Sequence, residues 1–231
     1  MEIVLIRHAQ PDWLHGEDYT LDPRLTDLGK QQAEQSSKSL QKVGFEEIWV
    51  SDLKRAQETL IPFEKNLDFN STHVFDWLRE MQDEKEEALF GKSKEEIEEF
   101  FINRNTRPLD EWLNNYHGEY IVKFRDNIVQ NLEIELSSRG VDVVEKKIEK
   151  VFSIENSDNR KILIISHAGT MSVLLSYFLD VPLFPWTWRR FLPVHCAHTS
   201  LRSTKIEGGY IFRMKKFNDS SFYSKKEYLT Y

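Results

Sequence analysis

Two histidines, two arginines and one glutamate are the residues of this chain whose types suit joint work on a phosphoryl group. Arg7 and His8 end the apolar run Ile3-Val-Leu-Ile6, and Ser166-His167-Ala-Gly-Thr170 follows a second run, Ile162-Leu-Ile-Ile165. Arg55 stands just after Ser51-Asp52-Leu53, and Glu80 closes Phe75-Asp-Trp-Leu-Arg-Glu80. A neutral imidazole can attack phosphorus in line and form a phosphohistidine. Two guanidiniums can hold the equatorial oxygens by bidentate hydrogen bonds, and a second imidazole adds charge or another donor. The departing alcohol needs a proton, which a carboxylic acid at the crevice edge can supply before returning as base for water. With side-chain cations in place, this chemistry needs no metal and no cofactor. Spacing alone does not decide for it, because an Arg-His pair at a strand end equally suits a hydrogen-bonded structural histidine.

The elements that must position these residues can be read along the chain. The run at 3–6 is β-branched and apolar on both faces, as in a buried parallel strand. A polar loop spans 11–25, and Thr26 caps a helix predicted over 27–40 that ends near Gly44. A second strand is predicted over 45–50, followed by a helix over 53–63. A third strand–helix unit comes late, with a strand at 161–165 and an apolar helix through 179. Strands separated by crossover helices predict an α/β sheet. Ligand groups in such folds gather at the carboxyl ends of the strands, where Arg7, His8 and His167 all fall. The start of the helix after His167 also offers backbone N–H groups to an anion. Residues 199–206 and 209–217 predict an antiparallel pair across Glu207-Gly208.

Between these units the composition changes. Apolar positions 109, 113, 116, 120, 124, 128 and 132 recur at spacings of three and four, the signature of an amphipathic helix. A further helix is predicted over 142–152. The whole chain, 1–231, therefore reads as a single domain carrying a mostly helical insertion over 83–155 that lies over or beside the sheet.

Composition excludes several classes. Lys and Arg number 31 against 38 Asp and Glu, a formal net charge of -7. That sign disfavours tracking of a nucleic-acid backbone. The single cysteine, Cys196, excludes an intrachain disulfide framework and a thiolate-rich zinc site, and is read as a small buried apolar residue. His73, His117 and His195 lack metal-ligand spacing, so no metal site is expected. No stretch approaches the roughly 20 apolar residues that cross a bilayer. An acid at position 2 and an apolar run of only five residues argue against a secretory signal, so the expected location is cytoplasmic. No isolated apolar helix declares an oligomeric interface.

Five local sequences, in order, carry a more specific message. Leu5-Ile-Arg7-His8-Ala-Gln10, Leu25-Thr-Asp-Leu-Gly29, Ser51-Asp-Leu-Lys-Arg55-Ala-Gln-Glu-Thr59, Leu78-Arg-Glu80 and Ser166-His167-Ala-Gly169 together resemble the histidine phosphatase superfamily, the phosphoglycerate mutase-like fold. The resemblance covers the first eighty residues and most of 160–206. It implies a three-layer α/β/α sandwich with a mixed central sheet and a variable helical cap that shapes substrate choice. By position it implies His8 as the phosphorylated nucleophile, Arg7 and Arg55 as phosphate-binding arginines, His167 as the second pocket histidine, and Glu80 as the proton donor. The implied substrate is a small-molecule phosphomonoester.

Four departures from the family pattern bear on the site. Ala9 stands where glycine is usual, which a negative φ would accommodate and a left-handed one would not. A Gly-x-Trp-Glu-Gly stretch is replaced by Met81-Gln-Asp-Glu-Lys-Glu-Glu87, making Asp83, Glu84 and Glu87 candidates to share or replace the acid role. His198-Thr-Ser200 occupies the place of an asparagine-centred segment, so His198 is a candidate pocket residue. The sugar-phosphate mutase signature, with its Asn- and Gly-containing loop, is missing, which favours phosphatase over mutase. Gln10, His15 and Asp18 follow the nucleophile closely enough to reach a substrate. Trp186, Trp188, Arg189 and Arg190 form an aromatic-basic cluster suited to a ligand, a partner or simple packing. The alternatives to a phosphatase are a phosphoryl-transferring mutase and a phosphate-binding module without turnover.

Overall fold

The computed structural model describes residues 1–15, 18–81, 89–106, 118–144, 149–155, 160–183 and 190–231. Its strands are β1 (Glu2–Arg7), β2 (Leu14–His15), β3 (Asp18–Tyr19), β4 (Glu47–Ser51), β5 (Ser71–Phe75), β6 (Val141–Val144), β7 (Val151–Ile154), β8 (Lys161–Ser166), β9 (His198–Ile206) and β10 (Gly209–Asp219). The helices are α1 (Asp27–Ser39), α2 (Lys54–Asn66), α3 (Lys94–Thr106), α4 (Gly118–Ser137) and α5 (Ala168–Leu179).

Among the described residues, eight strands form one sheet in the order β5-β4-β8-β1-β9-β10-β7-β6, and β2 pairs with β3 apart from it. The β5, β4, β8 and β1 neighbours run parallel, and β9, β10, β7 and β6 extend the sheet antiparallel. The sheet is therefore mixed, and the fold is α/β.

Side-chain alternation sends each central strand to two cores. Ile3, Leu5, Trp49, Ile162 and Ile164 pack with Ile121, Ile128 and Leu132 of α4 and with Met171, Leu174 and Leu175 of α5. Val4, Ile6, Ile48, Val50, Leu163 and Ile165 pack on the opposite face with Ala33 of α1 and Ala56, Leu60 and Phe63 of α2. Helices thus cover both faces, giving the three layers of an α/β/α sandwich.

The structure corrects one predicted element and adds another. Among the described residues, the helix expected over 142–152 is replaced by strand at both of its ends. Val141–Val144 and Val151–Ile154 are antiparallel strands at the edge of the main sheet. Their valines favour a pleated surface over a helix, and the helical spacing read there was too short to outweigh that preference. The segment 83–155 consequently contributes two strands to the sheet as well as helices α3 and α4. β5, which the sequence reading passed over, lies at the opposite edge and has no buried residue, so it lacks the apolar alternation that marks a strand. No helix among the described residues is long and apolar enough to cross a membrane.

Candidate active site

The parallel register places the key residues side by side. Arg7 at the end of β1 pairs with Ser166 at the end of β8, and Val50 of β4 pairs with Ile165. Arg7-His8, Ser51 and His167 therefore leave the sheet at one edge, where parallel strands open a crevice.

His8 is 3% exposed, and its backbone N–H donates to the Ser166 carbonyl at 2.8 Å. Its Nδ1 lies 2.8 Å from the Ala9 carbonyl oxygen. A carbonyl can only accept, so Nδ1 carries the proton and Nε2 keeps its lone pair. Burial, then Arg55, His167, His195 and Arg7, hold the His8 pKa well below 6.5, so the ring is neutral.

Ala9 is fully buried, its N–H donates to Thr59 Oγ1 at 3.0 Å, and it is not among the residues with positive φ. Its methyl joins the core between β1 and α2, which is how this chain accommodates alanine there. Gln10 turns away to its own network: its Oε1 accepts from Thr26 Oγ1 at 2.8 Å, and its backbone N–H donates to Gln32 Oε1 at 2.8 Å. Thr26 in turn caps α1 through the Gly29 N–H at 2.9 Å. A Cβ on Gly29 would stand 2.3 Å from the Gln10 carbonyl oxygen, so only glycine lets α1 lie against the chain after His8.

Six residues of Ser51-Asp-Leu-Lys-Arg55-Ala-Gln-Glu-Thr59 make side-chain contacts that tie the site together. Ser51 Oγ meets His167 Nε2 at 2.9 Å, and Asp52 holds Arg79 at 2.7 Å through Nε. Gln57 closes the turn onto the Ser51 carbonyl, Glu58 accepts from the Leu25 N–H, and Thr59 Oγ1 donates to the Arg55 carbonyl. Arg55 is 2% exposed, with its Nη1 3.4 Å from the Leu21 carbonyl and 3.7 Å from Asp22. Its guanidinium carbon lies 5.1 Å from the Trp13 ring centroid.

Arg7 reaches from the other side, donating from Nη1 to the Pro193 carbonyl at 3.0 Å. Burial pulls its pKa down to about 10, against the opposing pull of Glu80, so it remains charged near neutrality. His167 is fully buried, with its ring centroid 4.9 Å from that of His8, and burial followed by the two arginines keeps it neutral. Glu80 sits at the mouth of α5, its Oε2 accepting from the Gly169 N–H at 3.1 Å and its Oε1 from the Met81 N–H at 3.0 Å. The carboxylate thus occupies the helix N-terminus that the sequence offered to an anion. Ser166 Oγ and Thr170 Oγ1 fix the approach by donating to the carbonyls of Leu78 and Arg79.

Among the described residues, Arg7 Nε, His167 Nδ1 and His195 Nε2 are buried nitrogens without a hydrogen-bond partner. His195 was read from the sequence only as a histidine without metal spacing, yet its ring lies 5.4 Å from His8. His198, the residue matched to the pocket, lies elsewhere. It pairs with Ile6 on the α1 side of the sheet, its Nε2 meets Ser36 Oγ at 2.8 Å, and its ring stacks on Phe222 at 4.5 Å. His195 lies in the turn before β9, whereas His198 is the first residue of that strand.

His15 and Asp18 belong to the β2–β3 ribbon, with side chains outside the described set. Asp83, Glu84, Glu87, His117, Trp186, Trp188 and Arg189 lie outside the described residues. No group of three or more metal-ligating side chains occurs among the described residues.

Comparison with known proteins decides the family. The profile of the histidine phosphatase superfamily, branch 1, matches residues 3–220. The chain belongs to that superfamily. A 2,3-bisphosphoglycerate-dependent phosphoglycerate mutase of Allorhizobium ampelinum is 46% identical over 61 residues, covering 25% of this chain and 29% of the mutase. Against solved structures the likeness is longer and more distant. A mycobacterial glucosyl-3-phosphoglycerate phosphatase in complex with inorganic phosphate superposes with a TM-score of 0.65 at 21% identity, covering 96% of this chain and 99% of that one. A phosphoserine phosphatase from Entamoeba histolytica gives a TM-score of 0.63 at 19% identity, covering 96% and 98%. At such identities the superpositions establish the phosphoglycerate mutase-like fold.

Proposed function

We propose that this histidine phosphatase superfamily protein is a metal-independent phosphomonoester hydrolase working through a phosphohistidine at His8. The observation that carries the reading is the pairing of a His8 Nε2 left with its lone pair and buried, unpartnered nitrogens on Arg7 and His167 around it. Buried donors without partners are costly, and they cluster where a ligand completes them. Their chemistry, a guanidinium and an imidazole, is that of an oxyanion cradle, and the Arg55 guanidinium, 2% exposed, adds its charge to the same site.

In the first step His8 Nε2 attacks phosphorus, a P–N bond forms, and the P–O bond to the alcohol breaks. Arg7, Arg55 and His167 hold the non-bridging oxygens, and Glu80 gives its proton to the departing oxygen. In the second step Glu80 takes a proton from water, whose oxygen attacks phosphorus as the P–N bond breaks. Inorganic phosphate leaves and His8 regains its lone pair. The phosphatases of this fold among the solved structures support hydrolysis. The mutase relative supports a second reading, in which the phosphoryl group returns to the bound product, over a quarter of the chain only.

The test is phosphate release from p-nitrophenyl phosphate in excess chelator, with wild-type protein and His8→Ala. Chelator-resistant turnover that vanishes in a folded variant is the expected result. Turnover that survives in His8→Ala overturns the nucleophile. Transfer between positions of phosphoglycerate with little free phosphate favours the mutase reading.

A further inference from the structure

His195 is the buried histidine beside His8, at 5.4 Å between ring centroids, to which the chemistry above gives no work. It is 2% exposed and occupies the second position of the turn at residues 194–197, closed by the Ala197 N–H on the Val194 carbonyl at 3.1 Å. Cys196, third in the turn, has φ +58. That left-handed conformation is unfavourable for a residue bearing a Cβ. Three bonds hold the strained turn in place. The Cys196 N–H donates to the Arg7 carbonyl at 2.9 Å, Ser36 Oγ donates to the Cys196 carbonyl at 2.9 Å, and Tyr223 Oη donates to the His195 carbonyl at 2.7 Å. A strained turn pinned to the end of β1 puts His195 beside the nucleophile.

The ring is fixed as firmly as the backbone. Gln32 Oε1 must accept from the Gln10 N–H, so its Nε2 donates to the Tyr228 carbonyl at 2.8 Å and to Thr230 Oγ1 at 2.7 Å. The Thr230 hydroxyl meets His195 Nδ1 at 2.8 Å, and where it donates that bond the ring accepts at Nδ1. An imidazole that accepts at Nδ1 carries its proton on Nε2, the buried nitrogen with no partner. Burial and then Arg7 draw the His195 pKa down to about 2, so the ring stays neutral.

We propose that His195 is a further catalytic residue, whose Nε2–H donates to an oxygen of the phosphoryl group as it passes to and from His8, with Thr230 as its positioning residue. The proposal rests on the phosphatase reading above and adds a second imidazole to the cradle.

The test uses the full chain, p-nitrophenyl phosphate as substrate and orthovanadate as an inhibiting oxyanion, with His195→Asn, His195→Gln and Thr230→Val. Asparagine places an amide near Nδ1 and keeps the Thr230 contact, whereas glutamine places one near Nε2. Loss of one oxyanion donor predicts a fall in kcat/KM of about a hundredfold in His195→Asn, with weaker vanadate inhibition. His195→Gln regains part of both, and Thr230→Val loses less than His195→Asn while raising the vanadate Ki. A purely structural histidine predicts the reverse order, with asparagine better than glutamine and Thr230→Val neutral in Ki. That order, or wild-type values in His195→Asn, overturns the role of His195 and leaves the phosphatase reading standing. Wild-type protein that neither turns over nor binds orthovanadate removes both.

Discussion

Glu80 is gripped by two backbone N–H groups, one of them from the first turn of α5, and this fixes a carboxylate at the edge of the crevice. A group so oriented matters in proportion to the proton demand of the leaving oxygen. Glu80→Gln keeps the shape and removes the acid. It should lower kcat/KM about a hundredfold on an alkyl phosphate and under about tenfold on p-nitrophenyl phosphate, whose phenolate leaves unaided. Equal losses on the two substrates would count against Glu80 as the acid. His198 gives a contrasting expectation. Its partners are Ser36 and Phe222, so His198→Ala should destabilise the fold by about 1–3 kcal/mol in a urea titration. Its kcat/KM should stay within a few-fold of wild type, and a large loss would move His198 into the site. The short motifs made the common placement of Arg7, His8, Arg55, Glu80 and His167 legible in the sequence, because each motif packs around the residue it carries. His195 was not legible, since its placement depends on a left-handed Cys196 and on Thr230, thirty-five positions further along.

Elements hold the site through close backbone approach more than through long side chains. The clearest case is α1, whose first turn lies on the chain just after the nucleophile. Gly29→Ala would set a methyl 2.3 Å from a carbonyl oxygen, not from the end of a flexible side chain, so α1 or the Gln10 segment must shift. The expected cost is about 1–3 kcal/mol, read as a lower melting temperature. A loss of turnover should accompany it, because the displaced Gln10 is two residues from His8. An unchanged melting temperature would mean that the segment after His8 yields freely. At this scale the strand–helix units at 3–6, 45–63 and 161–179 were legible, because both faces of their strands are buried and the apolar runs say so. The edge strands were harder to read. β5 has no buried face, and β6 and β7 are only four residues each, too short for a period of two to prevail over a helical reading.

At the scale of the molecule, the four buried histidines among the described residues make stability a function of pH. His8 and His167 are held well below 6.5, His198 at about 4 and His195 at about 2, with burial the largest cause in each. The unfolded chain protonates these rings near pH 6.5 while the folded chain does not, so below that value the unfolded state binds more protons. Their contribution is fully present above pH 6.5 and is lost as the pH falls. Between pH 7.5 and 5.5 each ring removes about 1.4 kcal/mol, and four together of the order of 5 kcal/mol, against a typical total of about 5–15 kcal/mol. Urea unfolding should therefore weaken steeply over that interval. Inorganic phosphate should flatten the slope, because an anion among Arg7, Arg55, His8 and His167 favours imidazolium in the folded state and reduces the difference in bound protons. A flat profile without phosphate would mean that the rings reach water in the folded protein. A steep profile that phosphate leaves unchanged would mean that no anion enters among them, which would count against the cradle on which hydrolysis at His8 depends.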